Sequence, residues 1–172
     1  MLRAALLGLC LAAGPLGASE QVVSDLNGDG RAESFALRDT GEGTVDLLID
    51  GVVAAPDIAW KGGIGQEPAL SLAPNGSVRL SSMNESIGRD RWHLMLTIAW
   101  RDGAYRVAGL TYEWYDTLDL DRAGFCDLNL LNGRGFARRG QGDEVAVRTS
   151  LRAPRVDQWH EGRALPEVCP TG

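Results

Sequence analysis

What this chain has little of narrows its chemistry first. It carries one lysine, Lys61, two histidines, His93 and His160, and three cysteines. The histidines stand 67 residues apart, without the cysteine or acid spacing that zinc requires, so they read as ordinary surface or sheet residues. No Gly-x-Ser-x-Gly elbow is present to support a serine nucleophile. The glycine-rich stretch Lys61-Gly62-Gly63-Ile64-Gly65 lacks a Gly-Lys-Ser/Thr ending and precedes no helical pattern, so it reads as a loop rather than a phosphate cradle. Basic clusters are missing too. With 17 basic residues against 23 acidic and a net charge of -6, the surface repels nucleic acid and anionic lipid. Internal repeats, linkers and amphipathic helical patterns are also lacking, which leaves one domain, residues 20–172.

What is present begins with the leader. Arg3 provides a positive start, Ala4 to Ala13 an apolar run, Gly14-Pro15 a break, and Gly17-Ala18-Ser19 small residues for cleavage. Residues 1–19 therefore read as a secretory signal peptide, too short for a membrane span, and no later stretch is apolar enough to be one. Cys10 follows Leu9 rather than a small residue, which argues against a lipoprotein anchor. The destination is the periplasm or the exterior. Cleavage leaves 16 basic residues against 23 acidic and two cysteines, Cys126 and Cys169. An even pair in an exported chain is most simply a disulfide, which here would pin the Pro-containing C-terminal tail to the body.

Along the mature chain the hydrophobic period is two. Phe35 and Leu37 alternate with polar or small residues, as do Val45, Leu47 and Ile49 after the turn Thr40-Gly41-Glu42-Gly43. Asp50-Gly51 signals a two-residue hairpin, and Pro56 restricts the following strand to an edge or an irregular one. Leu70 and Leu72, the turn Pro74-Asn75-Gly76, and Val78 with Leu80 make another hairpin. The clearest alternation places Trp92, Leu94, Leu96, Ile98 and Trp100 on one face of a long strand. Arg101-Asp102-Gly103 turns the chain and Tyr105 to Tyr115 returns, with Gly109 marking a bulge or a close backbone approach. Phe125–Leu131 and Val145–Leu151 complete eight or nine strands. The fold class is all-β, a single-domain antiparallel β-sandwich or strongly curved sheet built from hairpins.

One stretch names a chemistry. Asp25, Asn27 and Asp29 place oxygen-bearing side chains at alternate positions, Gly30 supplies a bend, and Glu33 follows. A hard cation such as Ca2+ takes six to eight oxygens, which a tight loop delivers from alternate residues. The metal-ligating set is Asp25, Asn27, Asp29, Arg31 and Glu33. The loop resembles the calcium loops of FG-GAP and related propeller-type repeats, Asp-x-Asn/Asp-x-Asp-Gly-x-x-Asp/Glu. It departs from an EF-hand, whose twelfth position is a glutamate where this chain has Ala36. A single copy is present, so the resemblance covers the loop and not a propeller. A second resemblance covers about Trp92 to Gly135. Its aromatic hairpin followed by Asp127-Leu128-Asn129-Leu130-Leu131-Asn132-Gly133-Arg134 is similar to a group of exported bacterial β-domains. That similarity implies compartment and class and carries over no catalytic residue.

Glu113, Asp116, Asp119 and Asp121 gather in sequence around Tyr112, Trp114 and Tyr115. Such a segment is a solvated loop, a ligand or partner surface, a second weak cation site at Asp119-Leu120-Asp121 or, with paired carboxylates beside aromatic platforms, a site for glycoside chemistry. The reading that results is an exported, calcium-stabilised β-domain that binds an unknown protein or glycan ligand or serves as a structural module of the cell envelope. Inhibition of an envelope or host hydrolase is one alternative. A glycan-acting hydrolase using Glu113 and Asp116 is the other. No catalytic residue is assigned.

Overall fold

The computed structural model describes residues 21–169, so the leader and its cleavage site lie outside the described residues. Among these residues eleven strands form two antiparallel sheets that do not close into a barrel. The small sheet has the order β1 (Gln21–Ser24), β2 (Glu33–Asp39), β3 (Thr44–Ile49), β4 (Val52–Trp60). The large sheet contains β5 (Ala69–Leu72), β6 (Val78–Asn84), β7 (Asp90–Arg101), β8 (Ala104–Asp116), β9 (Asp119–Asn129), β10 (Arg134–Arg139) and β11 (Val145–Arg148). Its strands lie side by side in that sequence, each hydrogen-bonded to the next, from β5 at one edge to β11 at the other. Among the described residues no helix is long and apolar enough to cross a membrane.

The hairpin turns follow their residues. Asp50-Gly51 and Asp102-Gly103 both take positive φ, 50° and 77° in the first and 51° and 71° in the second. That backbone suits the right-handed twist of the strands they join, and glycine adopts it without steric cost. Pro56 does not end β4. The strand runs through it because β4 is an edge of the small sheet, and the β3–β4 register slips on either side of Leu47. Gly109 meets both expectations. Thr97 pairs with Gly109 while Ile98 pairs with Val107, a bulge that leaves Ala108 unopposed. A Cβ on Gly109 would also lie 3.1 Å from the Leu128 carbonyl oxygen.

Alternation places Phe35, Leu47 and Ile58 of the small sheet against Leu80, Leu96, Ile98, Val107, Leu110 and Leu128 of the large one, in one apolar core. The row on β7 is buried only in its middle. Leu96 and Ile98 are sealed, whereas Trp92, Leu94 and Trp100 are half-buried.

β1, β10 and the true start of β9 are not evident in the sequence pattern. β10 is charged and glycine-bearing, and Gly135 is there because a side chain would strike the Asp127 carbonyl. Beyond β11 the chain makes one 3-10 turn, Val156–Gln158, and otherwise runs irregularly over the sandwich. Where β9 stops, opposite Gly109, this segment takes over the edge of β8. The Val107 N–H donates to the Pro154 carbonyl at 2.9 Å, and Arg106 bridges Arg155. Further along, the Glu161 N–H donates to the Asp57 carbonyl of β4, so the segment touches both sheets. The Cys126–Cys169 disulfide fastens its end to β9.

Candidate functional site

The loop between β1 and β2 is flanked by strands that pair through Ser24 and Glu33. Its side chains fold onto its own backbone. Asp25 Oδ1 accepts from the N–H groups of Gly28 (2.8 Å) and Asp29 (3.1 Å), and Oδ2 from Gly30 (3.0 Å). Asn27 Oδ1 accepts from the Asp29 N–H and Asp29 Oδ1 from the Arg31 N–H, both at 2.8 Å. Gly28 and Gly30 take φ of 75° and 88° to permit this, a backbone that glycine adopts readily. A carboxylate offers about four lone-pair positions, so Asp29 and the Asp25 Oδ2 keep room for a further partner, whereas Asp25 Oδ1 already accepts twice.

Glu33 differs. It opens β2 with only 5% exposure, and its Oε2 accepts from the Leu26 N–H at 2.8 Å. Its Oε1 is the one buried side-chain polar atom without a partner among the described residues, and no described ion pair includes Glu33. Beside it lies Tyr105, edge-on to Phe35 with ring centroids 5.9 Å apart. Burial first, and the Glu33 carboxylate within hydrogen-bonding reach of its hydroxyl second, push the Tyr105 phenol up to about 12. The contact falls short of hydrogen-bond geometry, which leaves Oε1 without a partner.

The sequence-predicted set is thus gathered in part. Asp25, Asn27 and Asp29 are interlocked, Arg31 is held through its N–H, and Glu33 anchors the base. Among the described residues, however, no three His, Cys, Asp or Glu side chains form a group placed to hold a metal ion. The donor chemistry, all oxygen, still suits a hard cation, and the orphaned Glu33 oxygen is a position that a cation would satisfy.

The acids of the hairpin separate. Glu113 pairs with His93 and faces outward, whereas Asp116, three residues on, falls on the opposite face and is 2% exposed. Arg89 Nη2 lies 2.6 Å and Arg122 Nη1 3.3 Å from Asp116 Oδ2, and the Leu118 N–H donates to Oδ1. The Arg89 guanidinium, above all, holds the Asp116 carboxyl below its usual range, helped by Leu118. This is a structural ion pair, not half of a catalytic pair. Paired glycosidase carboxylates flank one bond from the same cleft, and an odd spacing on a strand cannot provide that. Asp119 and Asp121 are exposed at the start of β9 rather than in a loop.

Glu113 instead lines a hollow of about 340 Å³ on the outer face of the large sheet. There Glu85 is the organiser. Its Oε1 is 2.7 Å from His93 Nε2 and its Oε2 accepts from the Tyr115 hydroxyl at 2.9 Å.

Sequence reasoning missed a second hollow, of about 220 Å³, between the sheets at the end where Trp60, Trp92, Tyr112 and Trp159 converge. A signal for it existed in Gly62, where a Cβ would lie 2.7 Å from the Trp60 ring. No known protein family, curated protein or solved structure matches this chain.

Proposed function

We propose that this chain is an exported β-domain, stabilised by Ca2+ at the Asp25–Glu33 loop, that acts by binding a ligand as a module of the cell envelope. The observation that carries the calcium reading is the buried Glu33 carboxylate with one oxygen unpartnered at the base of an all-oxygen loop. A buried carboxylate without a counter-charge is costly, and a cation beside it removes that cost. Asp25, Asn27, Asp29 and the Arg31 main chain supply oxygens alongside Glu33. The ion would contribute charge neutralisation and rigidity to the join between β1 and β2, not chemistry. The Cys126–Cys169 disulfide accords with an oxidising compartment.

Thermal melting of the mature protein in excess Ca2+ and again in chelator tests the loop. Free ion a hundredfold above its dissociation constant adds about 2.7 kcal/mol by mass action. Coincident curves, with no metal retained after dialysis, sink the calcium reading.

A further inference from the structure

The binding reading leaves open which surface binds and what it binds. The cavity between the sheets answers both. Its walls come from three separate parts of the chain, Trp60 on β4, Trp92 and Tyr112 on the inner faces of β7 and β8, and Trp159 in the C-terminal segment.

The walls are built rather than incidental. Trp60 lies against the backbone of Gly62, where any side chain would collide with the ring. Trp92 meets Trp60 with centroids 5.6 Å apart, and Tyr112 stacks on Trp114 at 5.4 Å and 20°. Arg163 lies over the Trp159 ring, 5.7 Å from its centroid, while donating to the Gln158 carbonyl. Each ring thus has a packing partner that holds it in place.

The polar atoms complete the picture. Among the described residues the Tyr112 hydroxyl and the indole N–H groups of Trp60, Trp92 and Trp159 make no hydrogen bond, and none of them is a fully buried atom left without a partner. Buried aromatic residues of these types usually find a partner for that handle. Here the handles remain available. A purely apolar ring would strand whichever of those donors it covered, and leaving a donor unpaired is costly. The two charged side chains that line it, Glu161 and Arg163, are of opposite sign, so the cavity favours neither an anion nor a cation. At about 220 Å³ the space is below the roughly 300–1,000 Å³ of drug-sized sites, so it holds one ring.

We infer that the cavity lined by Trp60, Trp92, Tyr112 and Trp159 binds a single neutral pyranose unit of a glycan. A pyranose has an apolar C–H face to lie on an aromatic ring and a rim of hydroxyls to accept from indole N–H and phenol O–H groups. The exposed His160 and Glu161 at the rim leave the neighbouring sugar units in solvent. This inference deepens the binding reading and rests on it, while the calcium loop stands apart from it.

The experiment is a fluorescence and NMR titration of the mature protein with methyl glycosides of neutral hexoses and N-acetylhexosamines, with N-acetylphenylalanine amide as competitor. At least one glycoside should saturate and shift tryptophan emission. Trp60→Ala should weaken its binding at least tenfold and Tyr112→Phe about threefold, the second variant deleting one oxygen and keeping the fold if the first does not fold. A glycoside that binds equally well to both variants overturns the site while leaving a binding module. No response to any glycoside, or tighter binding of the phenylalanine amide, overturns the ligand class. Melting the same samples in Ca2+ and in chelator reports on the calcium reading separately.

Discussion

The β7–β8 hairpin and the Asp25–Glu33 loop are the two stretches whose residues declare themselves most plainly, and the fold treats them in opposite ways. The hairpin is finished by the protein alone. Leu96 and Ile98 are covered by the facing sheet, and the carboxylate at its end, Asp116, has two guanidinium groups and a backbone N–H. The loop is finished only down to its last carboxylate, since Glu33 is equally inaccessible yet keeps an oxygen without a donor. Burial of a charge inside one chain therefore has two outcomes. Where arginines reach it, it becomes architecture. Where none does, an oxygen is left without a partner.

The comparison can be broken first at the hairpin. Leu96→Ala should cost about 2–5 kcal/mol in urea unfolding, as for other sealed leucines. A loss under about 0.5 kcal/mol, the scale of ordinary surface substitutions, would mean the hairpin is not the self-sufficient half. Next comes the tether. The 43-residue separation of Cys126 and Cys169 implies about 4 kcal/mol on the chain-entropy model. The pair Cys126→Ala and Cys169→Ala should lower the unfolding midpoint accordingly, and thiol titration of the unreduced chain should find no free thiols.

The loop gives the third test. Glu33→Gln should erase the Ca2+-dependent gain of about 2.7 kcal/mol, while Asp116→Asn should leave that gain intact. If both variants abolish it, the two carboxylates do not differ as described. The smallest effect is with pH. Asp116 and Asp46 have folded pKa values lowered chiefly by Arg89 and Arg38 respectively. Their stabilisation is present above the ordinary carboxylate pKa, about 3.9, and is lost as pH falls through the folded values. Unfolding midpoints from pH 7 to 3 should drop at the acid end, and less so in Asp116→Asn.

How much was legible follows from which interactions are local. The faces of β3, β6, β7 and β8 and the turns at Asp50-Gly51 and Asp102-Gly103 can be read because strand parity and turn backbone depend on adjacent residues. How far a face is covered depends on the opposing sheet, so alternation alone does not reveal that the Trp92–Trp100 row is sealed only in its middle. Charge partners are less legible still. Asp116 is settled by Arg89 and Arg122, one from the preceding loop and one from β9, and nothing in the spacing of the acids reveals them. β10 escaped notice because its residues are chosen for close packing at Gly135 rather than for apolar alternation. The cavity between the sheets escaped because its walls are distant in sequence and meet only when the C-terminal segment crosses over.

That crossing segment has a further consequence. Along the part of β8 that β9 fails to reach, backbone groups would stand ready to pair with another chain, and Pro154 and Arg155 occupy that place. Unpaired strand edges are templates for association between molecules. The segment, tied down through Cys169, is therefore a plug against self-association. A molecule with this bond reduced, or nicked between Arg148 and Pro154, should fail by sticking to its neighbours before it fails by melting, and its loss from solution should steepen with protein concentration.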